Sequence, residues 1–555
     1  MFGHGGLTRT LLAGMLALGA CSTGGTDPGN PAPTGVTITV VHATTLRISW
    51  TAGAGVTEYL LERAPGSGGT FAEIARPSSA ATSYDDAGLV AGTTYRYRLA
   101  AVRSAGTSSF SSVLTGTTSP ATEVSVTADI TTNTTWTAGN IYRLVGFRKV
   151  QDGVTLTIEA GTRITGDFNV VGSSLFVLRG ARIFANGTAA APIVFTSAQP
   201  VGQRQPGDWG GLILVGNGII NRAGNVSVEG TGTSAENPSV LYSGGSNNAD
   251  NSGTLRYVRV EYAGFGPVQD AELNSFTFAA IGSGTTLEYL QALNGFDDSF
   301  EFFGGAVDGR YLVSYEAGDD HFDMAEGYTG RLQYLIAFQS RVFPPRPGVG
   351  GASVDPQGIE NDGCSGGGCT LNFNSVPFTT PVIANFTLVG TGPGVVPAGG
   401  GFGAVLRRGT AGHYINGIFA RWPNAGIGYR DADTKARENA GLLSIKNSFI
   451  AETPLALQAG QQVYDIGGNA VVHESGTTAA SLFTKLPAQP AGPSAASDFD
   501  WSLSASAAPR TGGLTAFTGD LLTKAGTFIT GTAYRGAADP NGPKWWEVWT
   551  TYSRN

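Results

Sequence analysis

The chain has 555 residues, enough for roughly two to four domains with large buried cores, and its 41% hydrophobic and 10% aromatic content excludes a disordered polymer. Lys and Arg total 34 against 42 Asp and Glu, a net charge of −8, so the basic footprint of a nucleic-acid binder is missing and no nucleic-acid partner is expected. Glycine is 82 of 555, well above the usual share of ~7%, and with abundant Thr and Val it points to strands and turns.

Residues 1–21 read as an export signal. A weakly positive start (Arg9, with His4) precedes an apolar stretch, Leu11 to Ala20, that is too short to cross a bilayer. Residues 22–33 are rich in Ser, Thr, Gly, Pro and Asp, the composition of a flexible tether. Leu18-Gly19-Ala20-Cys21 resembles the bacterial lipobox; the alternative is an ordinary signal peptide with an incidental cysteine. The resemblance implies lipidation of Cys21 and attachment to the membrane through that N-terminal lipid. Ser22, where an Asp would resemble an inner-membrane retention signal, favours the outer membrane or cell surface.

Residues 34–118 resemble a fibronectin type III domain. The marks are Trp50 in LRISW, Tyr59 and Leu61 in EYLLER, and Leu89 and Tyr95 before the alternating Tyr97, Leu99 and Ala101. Alternation with period two places those side chains on one sheet face, and a Trp between sheets with a Tyr at a strand corner are sandwich features. Such a domain implies a spacer or a binding module.

From about residue 122 the texture changes. GVTLTIEAGTRITG (153–166) recurs as GSSLFVLRGARIFA (172–185), with an offset of 19 at every match. Later segments repeat the pattern, among them GTLRYVRVEYAGF (253–265), GTTLEYLQALNGF (284–296), DGRYLVSYEAGDD (308–320) and TGRLQYLIAFQSR (329–341). Short strands at intervals of roughly 20–30 residues, with no amphipathic helix between them, mean a solenoid and leave the right-handed parallel β-helix as the architecture. The expected fold is therefore all-β: a fibronectin type III sandwich, then a parallel β-helix with caps over 122–555. Residues 122–152 are expected to cap its first coil. The tail with Trp545, Trp546 and Trp549 is expected to cover the C-terminal end, with an aromatic sugar platform as the alternative.

The motifs ITTNTTWTAGNIYRLVGF, PGDWGGLILVG, NADNSGTLRYVRVEYAG, GSGTTLEYLQ, DDSFEFFGG and TAYRGA resemble, in this order, a family of bacterial secreted β-helix proteins, often lipoproteins. That likeness covers 124–555 and supports the fold more than any activity.

Two acidic clusters stand out. Asp297, Asp298 and Glu301 recur 22 positions later as Asp319, Asp320 and Asp323, with Phe300 over Phe322. If 22 residues make one coil, the acids stack on one face, and GIENDG offers Glu360 and Asp362 as a third layer. Two carboxylates about 5 Å apart repel by roughly 3 kcal/mol at an effective dielectric of 20, so the clusters must be solvated, paired or bound to a cation. Arg310 and Arg331, after each acidic turn, would pair with the acids in the structural reading. The metal reading is calcium on Asp297, Asp298, Glu301, Asp319, Asp320 and Asp323. A catalytic reading, polysaccharide lyase or glycosidase, would use Arg310, Arg331, Asp297 and Asp319. The loop SGGSNNADNSGT (243–254) reads as Asx turns rather than a cation loop. Cys364 and Cys369, separated by four residues of which three are glycine, favour a structural disulfide; a metal thiolate pair would lack two further ligands nearby.

No nucleophile elbow, HExxH element or free thiol is present in the motifs, and GGGFGAVLRRG (399–409) lacks the helix and acidic partner of a phosphate loop. The expected function is a cell-surface lipoprotein that binds a glycan or another extracellular polymer along a rigid flank, with structural calcium and with Phe296, Tyr315 and Tyr328 as candidate sugar-stacking aromatics. A polysaccharide lyase or glycosidase is the alternative, and a purely structural or adhesive protein the third.

Overall fold

The computed structural model describes residues 30–552 apart from 67, 267–271, 343, 352, 397–398 and 488–491. Residues 1–29, which carry the expected leader, Cys21 and most of the tether, lie outside the described residues. No helix among the described residues is long and apolar enough to cross a membrane. Cα packing separates one compact unit holding Leu46–Asp86 and Thr93–Thr118 from a second that holds Ser119–Asn555.

The first unit is an antiparallel sandwich. Thr37–His42, Thr45–Ser49 and Ser83–Asp86 form one sheet, and Glu58–Pro65 pairs with Thr94–Arg103 in the other. Inward alternation buries Leu46, Ile48, Tyr59, Leu61, Tyr97 and Leu99, and the Trp50 and Tyr59 rings pack 5.1 Å apart between the sheets. The Tyr97 hydroxyl donates to buried Asp86 at 2.7 Å.

The second unit is a parallel β-helix. Its strands stack in a nine-stranded and a seventeen-stranded sheet, and successive coils pair in parallel. Interior side chains form ladders: Phe276, Phe300 and Phe322 lie one above the next with centroids 5.0 and 5.3 Å apart, and Phe278 and Phe302 are 5.0 Å apart. Each fully buried Phe stabilises by about 1.5–3 kcal/mol. Residues 122–152 are not a separate cap: Thr122–Val126 already pairs with Asn140–Leu144, and Thr134–Trp136 with Thr155–Ile158, so this segment is the first winding itself.

The larger sheet bends at one column. Tyr257, Tyr289, Tyr311 and Tyr334 occupy equivalent positions with φ of 49°, 56°, 62° and 66°, and Asn385, Asn416 and Asn447 continue the column at 54°, 57° and 50°. A left-handed residue with a side chain costs about 1–2 kcal/mol, least for Asn. The tyrosine rings offset this by stacking at 4.4, 4.4 and 5.1 Å, each contact adding about 0.5–1.5 kcal/mol.

After the last coil strand, Val472–Glu474, the chain turns back along the flank instead of capping the end. Phe499, Trp501, Trp546, Trp549 and Tyr552 form a second core with Tyr315, Phe338 and Ile418 of the coils. Trp549 is fully buried and meets Tyr257 and Tyr289 edge-on, so the tail is a lateral cover and not an exposed sugar platform. Trp549→Ala should therefore cost about 3–5 kcal/mol, measured by chemical denaturation, because it empties a buried site that the stacked tyrosines cannot refill.

Candidate functional site

The interval of 22 residues is one coil. Phe300 pairs with Phe322, Glu301 with Asp323 and Phe302 with Met324. After the inserted segment, Asp323 pairs with Glu360. Alternation sends the phenylalanines inward and makes Glu301, Asp323 and Glu360 one outward column, bounded by Thr277 on one side and Val405 on the other.

A second column lies three residues earlier and works differently. Asn274 Oδ1 accepts the Asp298 amide at 3.1 Å, Asp298 Oδ1 accepts that of Asp320 at 2.8 Å, and Asp320 Oδ1 accepts that of Gln357 at 2.5 Å. Gln357 Oε1 then accepts the Phe402 amide at 3.0 Å. Asp298 and Asp320 thus stand where the flanking coils use amides, and each commits one oxygen to the backbone. The turn before Asp319 depends on glycine: a Cβ on Gly318 would fall 1.7 Å from the Phe296 carbonyl oxygen.

These columns floor a cleft of about 820 Å³. Twelve carboxylates line it, Glu229, Glu272, Asp297, Asp319, Glu326, Asp355 and Asp362 joining the five of the columns, against three arginines, Arg222, Arg407 and Arg408. Arg407 bonds Asp362 at 2.8 Å and Glu360 more closely, Arg408 bonds Asp362, and Arg222 shares Glu326 with the Tyr242 hydroxyl. Ser353, from the inserted segment, donates to Asp319 at 2.6 Å. Oδ1 of Asp323 is buried without a hydrogen-bond partner.

Three overlapping sets bring carboxylate oxygens within 4.8 Å of one another: Asp297 with Asp298 and Asp319, Asp298 with Glu301 and Asp323, and Asp320 with Asp323 and Glu360. Such buried acidic clusters could hold metal ions. Burial, then the neighbouring carboxylates, raises Asp297, Asp298, Glu301, Asp320, Asp323 and Glu360 well above the ordinary carboxylate range. Burial carries Asp319 to about 6, opposed by the Ser353 hydrogen bond, and burial with Glu272 carries Glu229 to about 8. Burial opposes the charge of Arg407, but Asp362 and Glu360 outweigh it and hold the guanidinium protonated.

Two sequence expectations are corrected, and one pair of functional residues is added. Arg310 and Arg331 belong to the other sheet: Arg310 donates to the Phe528 carbonyl with its guanidinium 4.0 Å over that ring, and Arg331 pairs with Asp308 at 2.8 Å. Neither lines the cleft, because position 310 is outward on a different face from position 301. The candidate sugar-stacking aromatics are core: Tyr328 packs against Phe302, Tyr315 against Phe499, and Phe296 against Phe265 and Val349. Their apolar area is spent inside. Arg407 and Arg408, which no sequence signal linked to the acids, reach them because Asp362 and Arg407 are ladder partners 45 residues apart.

Elsewhere, the oxygen-rich loop makes Asx turns as expected, Asn247 accepting the Ala249 amide at 3.0 Å and Asn251 that of Gly253 at 2.7 Å, while Asn248 and Asp250 accept the more distant Ile219 and Asn217 amides at 2.8 and 3.0 Å. Cys364 and Cys369 are joined by a disulfide.

Comparison with known proteins follows the same division. A family described as "Pectate-lyase like beta helix domain" matches residues 128–492, and "Fibronectin type III domain" matches 31–117. A curated relative, a poly(3-hydroxybutyrate) depolymerase from Ralstonia pickettii, is 37% identical over 99 residues, which are 18% of this chain and 18% of that protein. Among solved structures, the fibronectin type III domain of human collagen alpha-1(XX) is 29% identical, covering 16% of this chain and 87% of its own at a TM-score of 0.16. A Fn3-like protein from Clostridium thermocellum is also 29% identical, covering 16% of this chain and 90% of its own at a TM-score of 0.15. The chain belongs to the pectate-lyase-like β-helix family and carries a fibronectin type III domain ahead of its helix.

Proposed function

We propose that the acidic cleft binds divalent cations and, so loaded, holds an extracellular polymer, a glycan foremost, on an exported surface lipoprotein anchored through Cys21. The observation that carries this reading is the run of three overlapping donor sets along one strand ladder, with a buried, unpartnered oxygen on Asp323 between them. The donors are carboxylates and, among the described residues, the lining holds no imidazole or thiolate, which suits a hard cation such as Ca²⁺ taking six to eight oxygens. A ladder repeats its groups at one strand spacing, so a repeating chain meets equivalent contacts along it.

One observation favours cleavage as a second reading. Glu229 and Asp319 face the same cleft with proton affinities set apart, at about 8 and about 6, which is the arrangement an acid and a base require. A lyase working through an arginine base is less well supported, because Arg407 is clamped as a cation by Asp362 and Glu360.

The buried carboxyls of the cleft make the protein sensitive to pH. A carboxyl whose proton affinity is raised on folding keeps its proton in the folded state after the unfolded chain has lost it, so stability falls as pH rises from the unfolded value through the folded one. For Asp319 that window runs from 3.8 to about 6, and for Glu229 from 4.5 to about 8. Metal-free protein should therefore melt at a lower temperature near about pH 8 than near about pH 5, as followed by calorimetry.

Calcium at about a hundred times its dissociation constant should restore about 2.7 kcal/mol at the higher pH, and EDTA should remove it. Asp323→Asn, which keeps the shape, should weaken calcium binding about tenfold or more by calorimetric titration, since affinity follows ligand charge. Unchanged melting with calcium, EDTA and this variant would sink the cation reading.

Polymer binding is read by co-sedimentation with a polysaccharide panel, with and without EDTA. Retention that needs the cation supports the binding reading, and release of shorter chains on the same panel transfers support to cleavage.

A further inference from the structure

A separate set of residues in the β-helix unit brings together a hydroxyl, an imidazole and a carboxylate. His413 and Ser444 are ladder partners on adjacent coils, in the strands Gly412–Ile415 and Leu443–Lys446. Tyr414 and Ile445 point into the core, so alternation turns His413 and Ser444 outward together. The third member comes from the C-terminal cover. Asp520 lies in the first turn of the helix Gly519–Ala525, which Leu521 and Ala525 pin against Val382, Ala384 and Ile415.

His413 Nδ1 lies 2.8 Å from Ser444 Oγ, and His413 Nε2 lies 3.0 Å from Asp520 Oδ2. An ionised carboxylate only accepts, so the neutral imidazole carries its proton on Nε2 and leaves Nδ1 to accept the serine proton. Burial lowers the proton affinity of His413 in spite of Asp520, which keeps the ring neutral and ready to take a proton. All three residues line a cavity of about 370 Å³, within the range of small-molecule sites. Lys446 lines it too, on the same outward face as Ser444.

We infer that Ser444, His413 and Asp520 form a hydrolytic site for a small carboxylic ester bound in this cavity. Ser444 Oγ attacks the ester carbonyl carbon while its proton passes to His413 Nδ1. The ammonium of Lys446 supplies positive charge for the oxyanion. The bond to the alcohol oxygen then breaks, and the alcohol departs with the proton from Nδ1, leaving the acyl group on Ser444. Water adds to that acyl group, gives a proton to Nδ1, and the acid leaves as Ser444 Oγ recovers it. Asp520 is a positioning residue that fixes the tautomer and steadies the imidazolium. No metal enters, so this site stands or falls apart from the acidic cleft.

The test treats the full chain with a fluorophosphonate ester and maps the adduct by mass spectrometry, alongside hydrolysis of p-nitrophenyl acetate. Ser444 should be labelled, with EDTA making no difference. Ser444→Ala, with unchanged melting, should lower both labelling and hydrolysis about a hundredfold or more. Asp520→Asn should slow labelling and move its pH profile, which a merely structural hydrogen bond would leave in place. The charges facing the imidazole, Asp520, Glu438, Lys446 and Lys524, set that profile. Absence of an adduct on Ser444 in the folded protein, or acetate hydrolysis as fast in Ser444→Ala, would overturn the inference.

Discussion

Parallel pairing in strict register is the constraint on which the β-helix depends. Each residue sits on its counterpart one coil away, at the hydrogen-bonded strand spacing of about 4.8 Å, so any chemistry repeated in the sequence becomes a column in space. Inward the column is Phe276, Phe300 and Phe322; at the corner it is four tyrosines and three asparagines. Outward it is Glu301, Asp323 and Glu360. One backbone rule thus produces core, bend and cleft.

The rule is favourable for rings and unfavourable for like charges, and the structure handles the two cases differently. Stacked rings gain from each added coil. Stacked carboxylates repel, and burial strengthens the repulsion by removing water. The protein offsets part of this with an amide ladder: Asn274 and Gln357 hold the ends of the column in which Asp298 and Asp320 stand, and each acid accepts a backbone amide there. Arg407 and Arg408 neutralise the Glu360 and Asp362 end. Between these ends Asp323 is left with Oδ1 buried and without a hydrogen bond, the imbalance on which the cation proposal rests.

The C-terminal segment adds what a solenoid cannot make from its own repeats. By folding back along the flank it buries the tyrosine column under Trp549 and joins Phe499 and Trp501 to the coils. It also carries Asp520 to His413, a partner the strands alone do not provide. Covering the flank and completing the histidine's surroundings are two results of one packing event.

The sequence by itself determined what depends on local periodicity. Offsets of 19 and 22 residues, alternation in segments such as GTLRYVRVEYAG, and the Trp50 and Tyr95 pattern were enough for a sandwich followed by a parallel β-helix, and for the stacking of Asp298 on Asp320 and Glu301 on Asp323. What only the tertiary structure decided is which face each column looks onto and what an insertion brings beside it. Arg310 follows the acids closely in sequence yet lies on another sheet, while Arg407 is distant in sequence and bonds Glu360 and Asp362. Tyr315 and Tyr328 could not be told from surface aromatics because the cover that buries Tyr315 begins more than a hundred residues later in the chain, and Tyr328 turns inward at a corner that alternation does not describe. Ser444, His413 and Asp520 were illegible for the same reason: periodicity reports neighbours within a repeat, whereas segments of irregular length set the distances between repeats, and those are fixed only when the chain is packed.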